Sequence, residues 1–467
     1  MKFRQILPVV IAAVMMGAPG AGHADAGTPI SAIPEKAPAA EAAPAEARPW
    51  ETVIVSDAAE RNEKTAYYRR LPEGEKRIGN GRLVAYFPGT LPRGITEELR
   101  YDRYPVPREY LMHMRGGAVA VKAEPRFGAA TVRTAGRYQP LETDGIVLGE
   151  YGAQEDSRHW YRVRWGTPED RREGYVFAPH ITRRGFQFQK MAGFINRLRD
   201  ILDAGQAAHI DNYKNRNGWA PARQGQNQDA FGVLRDQSAP AYYQPDTAGD
   251  FRYLTDGSLV TLLGERGDYY EANVVDFDGV YFIPKKYIPA EPRMQRLEKV
   301  VVVDRGHQNE AVFERFGDGW KLISYVLATT GENAPFKQET SLGHFMAIEK
   351  KSRFLYLGDI SKEIEGYAPF ALRFDGGAYI HGVPVNFREI RSKVVVQPEV
   401  KDALGNLVAP AVTRDVVVGR EDPGMQEFLS SIGTVPRSHK CVRNYTSHAK
   451  FLYDWAEIGK TAVIVIE

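Results

Sequence analysis

Ser438-His439-Lys440-Cys441-Val442-Arg443-Asn444 holds the only cysteine of the chain, set beside a histidine and between two cations. A lone thiol cannot close a disulfide within its own chain. Its unperturbed pKa is roughly 8.5, and neighbouring positive charge lowers it toward the thiolate that attacks carbonyl carbon. A structural cysteine more often sits in an apolar run, which Lys440 and Arg443 interrupt. The stretch therefore reads as a nucleophile loop with Cys441 as its reactive atom.

Working outward, Ala449 to Ile458 has a short helical pattern, and Thr461 to Ile466 is an apolar strand. Upstream, Leu297 to Asp304, Ala311 to Arg315 and Trp320 to Val326 read as successive strands. The turns between them are Asp304-Arg305-Gly306 and Gly317-Asp318-Gly319. Between these strands and the cysteine lie Thr329-Thr330-Gly331, Thr340-Ser341-Leu342-Gly343-His344-Phe345 and Ile380-His381-Gly382.

In this order the motifs resemble the catalytic domain of the L,D-transpeptidases (YkuD-type), enzymes that make or remodel peptidoglycan cross-links. The resemblance covers 296–467 and rests most on Ser-His-x-Cys-Val-Arg at 438–443. It departs from the family in two places. Lys440 stands where the family usually has glycine, and His381 precedes Cys441 by 441 − 381 = 60 residues, a far longer separation than usual. The excess lies within Val383 to Arg437 and reads as an inserted hairpin or lid.

The resemblance implies that Cys441 is the nucleophile and His381 the base that shares its proton, oriented by the carbonyl of Gly382. Backbone N–H groups of Lys440 and Cys441 would hold the oxyanion. Ser438 and His439 would line the site, His439 alternatively bracing the loop. Arg443 would hold the loop or meet a substrate carboxylate. The Lys440 ammonium is expected to lower the Cys441 pKa, with stem-peptide binding as its rival role, and His344 is read as structural. The implied reaction takes peptidoglycan tetrapeptide stems through a thioester, forming cross-links or exchanging the terminal D-residue. The same residues would serve an L,D-carboxypeptidase if water replaced the amine, and a cell-wall-binding scaffold is the non-catalytic alternative. No cofactor is expected, and no metal, because no His, Cys and carboxylate cluster has ligand spacing.

Two further stretches, 117–182 and 231–290, are series of short aromatic or β-branched runs separated by Gly and Asp turns. Both resemble bacterial SH3-like domains, which implies cell-wall peptide binding, or else rigid spacing. Deleting 51–290 is expected to leave Cys441 able to react with a small acylating β-lactam, yet to reduce turnover of polymeric peptidoglycan more than of soluble muropeptides. The fold class is thus mainly β and multidomain: two small SH3-like barrels, then a β-rich L,D-transpeptidase catalytic domain with an inserted segment. A connector, 183–230, carries one amphipathic helix, read from Phe186, Met191, Phe194, Ile195, Leu198, Ile201 and Leu202, with a loop after it. Region 51–116 carries turn signals but no assignable function; it would add strands to the next module or stand alone.

Residues 25–50 are rich in alanine, proline and glutamate and read as a flexible tether. Residues 1–24 read as a cleaved signal peptide. Their apolar run from Ile6 to Ala18 falls short of the ~20 residues a spanning helix needs. Export to the periplasm or cell wall, with no membrane anchor after cleavage, follows as the expectation. Lys2 and Arg4 are the only formal charges in 1–24, so removal takes the net charge from +2 to +2 − 2 = 0. Nucleic acid is therefore not an expected partner.

Overall fold

Val300 to Val303 occupy the centre of the protein, each fully buried. Successive side chains on a strand face opposite ways, so four valines in a row require apolar cover on both faces. Val300 and Val302 enter one core, while Val301 and Val303 enter another. The computed structural model describes residues 83–467, apart from 115, 204, 223, 224 and 359. The expected signal peptide and tether, and the first part of region 51–116, lie outside the described residues. The chain is mainly β and built of several sheets.

The strand Lys299–Asp304 pairs in parallel with Thr461–Ile466 and antiparallel with Asn309–Phe316. Its six-stranded sheet runs Gly343–Met346, Thr461–Ile466, Lys299–Asp304, Asn309–Phe316, Gly319–Leu327 and Ile95–Glu97. Below it lies a second sheet: Glu349–Leu357, Ile364–Asp375, Ala378–His381 and Val442–Arg443, with Val385–Asn386 also on Ile364–Asp375. Phe374, Ile380 and Val442 of that sheet, and Leu452 of the helix Thr446–Trp455, meet Val301 and Val303 between the layers.

The other face of the central sheet is covered by the helix Phe188–Asp203. Phe188, Met191, Ile195, Leu198 and Leu202 recur at three- and four-residue steps and are all buried, as the apolar stripe of a core-facing helix requires. Tyr110 and Met112 from the first β module share this core, as do Ala207, Leu259 and Val275 from the second. The first module is an eight-stranded sheet that includes Leu83–Tyr86 and Glu109–Met112, so residues before 117 supply strands to it, and Ile95–Glu97 to the central sheet. The second is six-stranded, beginning at Gln206–His209 and ending at Val280–Pro284.

The second module is fixed to the two central sheets by its backbone. Gly257 has φ 87°, and a Cβ there would stand 1.8 Å from the Phe374 carbonyl oxygen, so only glycine fits. Its carbonyl accepts from the Met346 N–H at 2.9 Å. Beside it, buried Asp256 pairs with Arg373 at 2.5 Å, and Asp276 pairs with buried His344 at 2.6 Å. Deletion of 51–290 would remove the helix Phe188–Asp203 together with Tyr110, Met112 and Leu259, and with them the apolar cover of one face of the central sheet, so the expectation that Cys441 stays reactive without 51–290 is corrected here.

Within the long segment between His381 and Cys441, Arg388–Gln397 and Val412–Glu421 form a two-stranded ribbon. Val400–Lys401 and Leu407–Ala409 form a smaller hairpin. Every residue of Arg388–Gln397 is exposed. Among the described residues, no helix is long and apolar enough to cross a membrane.

Candidate active site

The site is built on two very short neighbouring strands. Ala378–His381 and Val442–Arg443 run in parallel, with Ile380 opposite Val442 and His381 opposite Arg443. Ile380 and Val442 point into the core between the layers. Strand alternation then sends His381, Cys441 and Arg443 to the other face, where all three line a cavity of about 600 Å³. Ser438, His439 and Gly377 also line it, together with Tyr356 and, at the base of the ribbon, Asn386 and Arg388.

His381 is 4% exposed, and its Nδ1 stands 2.6 Å from the carbonyl oxygen of Gly382. A carbonyl can only accept, so Nδ1 carries the proton and Nε2 keeps its lone pair. Burial pushes this imidazole down to about 4; the Gly382 hydrogen bond opposes the shift and the nearby Arg443 charge adds to it. At neutral pH the ring is uncharged and able to take a proton at Nε2.

Cys441 is partly exposed as a residue, with Sγ 3.9 Å from the carbonyl oxygen of Gly377. Burial of the thiol pushes its pKa up, and this outweighs the lowering by a Tyr379 backbone contact, Arg443 and Lys440. The expected cation-stabilised thiolate is therefore corrected. At neutral pH the thiol and the imidazole that line this cavity are both uncharged.

Lys440 lowers the Cys441 pKa by less than burial raises it. It has φ 98°, the left-handed region that favours glycine, while its ammonium sits 2.9 Å from Oδ2 of Asp375, a fully buried carboxylate. The contact is a charge pair off the hydrogen-bond axis, since neither Asp375 oxygen has an aligned donor. The same carboxylate raises the Cys441 pKa, so it counters at the sulfur what the lysine contributes.

The remaining loop is held from beneath. Thr330 O accepts from Arg437 N–H at 3.0 Å and Ser438 N–H at 3.1 Å, and Glu332 N–H donates to Ser438 O at 3.0 Å. Thr340 Oγ1 accepts from Gly331 N–H at 2.8 Å and donates to Lys440 O at 2.9 Å. A Cβ on Gly331 would lie 2.8 Å from Lys440 Cα, which explains the glycine in Thr329-Thr330-Gly331. Ser438 Oγ donates to the Cys441 carbonyl, so this wall residue also braces the turn. No backbone acceptor faces the N–H of Lys440 or Cys441 among the described residues.

Arg443 packs its guanidinium against the cavity wall, where burial pushes its pKa down and Nε has no hydrogen-bond partner. Behind the strand, Asn444 Nδ2 donates to Glu310 Oε1 at 2.8 Å, and Glu310 stands 3.2 Å from His448 Nδ1, all three fully buried. Asp375, Tyr356 and Glu310 carried no signal in the sequence. Each lies far along the chain from the cysteine motif and in no recognisable spacing. Among the described residues, no group of three or more His, Cys, Asp or Glu side chains converges as a metal site.

No protein-family model and no curated protein matches the chain. Among solved structures it is similar to a fused Zn-dependent amidase/peptidase and peptidoglycan-binding domain protein from Clostridium acetobutylicum, at 16% identity and a TM-score of 0.21. That match covers 36% of this chain and 51% of the other, about half its length. It is also similar to an L,D-transpeptidase from Mycobacterium smegmatis, at 17% identity over 40% of this chain and 73% of that one, TM-score 0.24. A third is an L,D-transpeptidase from Mycobacterium tuberculosis, at 16% identity over 44% and 77%, TM-score 0.23. Likenesses at this level carry no argument about chemistry, which rests on the residues of the site.

Proposed function

We propose that the protein is a cysteine acyltransferase of the L,D-transpeptidase type acting on peptidoglycan tetrapeptide stems. One observation carries the reading: Cys441 and a neutral His381 with its Nε2 lone pair available line one cavity from adjacent parallel strands. Sγ attacks the carbonyl carbon before the terminal D-residue as His381 Nε2 takes the thiol proton. The N–H groups of Lys440 and Cys441 receive the developing oxyanion, a contact worth about 10²–10³ in rate per donor. The C–N bond then breaks, D-alanine leaves with the proton from His381, and a thioester remains. An acceptor amine attacks the thioester, its proton passes to His381, and the sulfur departs to be reprotonated.

Arg443 serves as counter-charge for a stem carboxylate, and its place in the cavity wall, with Nε unpartnered, supports that role. The ribbon base shapes access to one of the two substrates. The two β modules are SH3-like, and the enzyme works outside the cytoplasm after loss of residues 1–24.

Intact-protein mass spectrometry tests the reading. Incubation with a tetrapeptide muropeptide, or with a carbapenem as a reactive acylating agent, should add one acyl group to Cys441 and none to Cys441→Ala. Release of the acyl group to water rather than to an added amine would make the activity L,D-carboxypeptidase. No adduct with either reagent would sink the catalytic reading.

A further inference from the structure

The cavity holding Cys441 continues into two others. A cavity of about 970 Å³ shares Gly377 and His439 with it. A third, of about 530 Å³, shares Leu234, Asp236 and Gln338 with the second. Together they form a trough with one wall from the second β module and the other from the catalytic segment 333–342.

Three large aromatic rings stand open to solvent along this trough: Trp219 at 57%, Phe231 at 55% and Phe336 at 84% exposure. Exposed aromatics gathered along one groove mark a binding surface rather than ordinary surface scatter. Phe336 adds a second observation, because it holds φ 63° while its ring lies in water. Neither core packing nor backbone preference explains such a conformation, and strain of this kind collects at binding sites.

The wall is also preorganised. Buried Asp229 accepts from the N–H groups of Phe231 and Val233 at 2.9 Å each, and from Tyr253 at 3.0 Å, fixing the loop that presents Phe231. Arg252 stacks over one face of Phe231 at 3.5 Å, and Arg235 lies 5.2 Å from the Trp219 ring centroid. Asn227, Asp236 and Gln338 line the cavity with Trp219 and offer amide donors and acceptors, the Asp236 carboxylate also accepting from Asn215 at 2.8 Å.

Flat apolar rings flanked by amides match the faces of a pyranose, whose C–H groups stack on an aromatic while its hydroxyl and acetamido groups bond at the rim. A lipid would leave the amides unsatisfied. We propose that this trough is a saccharide-binding site that takes the glycan strand to which a stem peptide at Cys441 is attached. The inference rests on the peptidoglycan reading for its natural ligand, but the binding itself is a separate property.

The test uses the full chain and a β-1,4-linked N-acetylglucosamine tetramer, titrated by calorimetry. Saturable binding is expected, about tenfold weaker in Trp219→Ala and in Phe336→Ala, as loss of one stacking platform implies. Both side chains are largely solvated, so the variants should fold; far-ultraviolet circular dichroism checks that. Absence of saturable binding, or unchanged affinity in both folded variants, overturns the proposal. In the same preparations, adduct formation at Cys441 reports on the catalytic reading independently. A protein that binds the tetramer but forms no adduct overturns that reading and keeps this one.

Discussion

The loop around Cys441 and the ribbon Arg388–Glu421 border the same cavity and are held in opposite ways. The loop takes hydrogen bonds from Thr330, Glu332 and Thr340 and an ion pair from buried Asp375. The ribbon has valines at 394, 395 and 396, between 44% and 54% exposed, whereas the valines at 300–303 are wholly buried. Residue type is the same; the number of neighbouring layers differs. A two-stranded ribbon has no second layer and is only marginally stable by itself. The contrast predicts that the ribbon can change without loss of the fold, whereas the bracing of the loop cannot.

The sharpest way to break this comparison is Cys441→Ala. Turnover of soluble muropeptides should vanish while the thermal midpoint stays within a few degrees, because one small side chain changes. A variant that keeps most activity would remove the loop from the chemistry. His381→Ala should lose about 10²–10⁴ in rate, since base and nucleophile act as a unit. Near-normal acylation of this variant, with His439→Ala inactive, would transfer the base role to His439.

The ion pair offers a finer cut. Lys440→Gly relieves about 1 kcal/mol of left-handed backbone cost, yet leaves the Asp375 carboxylate buried and unpaired, a loss of about 3–5 kcal/mol. Net destabilisation of about 2 kcal/mol or more is expected in urea unfolding, with Lys440→Gly/Asp375→Asn recovering much of it. A single variant as stable as the parent would mean that Asp375 does not hold the loop.

Protons separate the two regions further. Burial pushes His159, His209 and His381 each down to about 4. The unfolded chain binds these protons near 6.5, so stability is full above that pH and declines as pH falls toward 4, by about 3 kcal/mol per histidine. Asp256, pushed up to about 6 by burial, acts in the opposite sense and offsets about one of the three. The ribbon contains no histidine. Urea midpoints should therefore fall between pH 6.5 and 4 in the parent and equally in a ribbon-shortened variant. A flat profile would show that these rings are not buried neutral.

The smallest effect should come from the ribbon itself. Shortening it between Val394 and Thr413 should change stability by less than about 0.5 kcal/mol, the range of surface changes, and leave thioester formation intact. Product analysis with competing amines should show altered acceptor choice. An unaltered product spectrum would make the ribbon a surface decoration.

Much of this was legible in residue order because it depends on neighbours in the chain. The apolar stripe from Phe186 to Leu202 specified a helix by its spacing, and Leu297 to Asp304 specified a strand by its run of β-branched residues. Cys441 stood out because the sequence offers no second thiol. Partnerships across the fold were not legible. Nothing near Lys440 announces Asp375, and an exposed valine run reads the same as a buried one. The apolar face of the 188–203 helix said that it would be covered, but not that three modules would cover it together.

The strand Thr461–Ile466 lies between Gly343–Met346 and Lys299–Asp304, contributing alternately to both cores. Its position has a consequence for the newly made chain. As synthesis or transport delivers the polypeptide from its N-terminus, the central sheet stays split until these six residues emerge, and both cores stay open with it. A chain that lacks these six residues would leave both cores open at once.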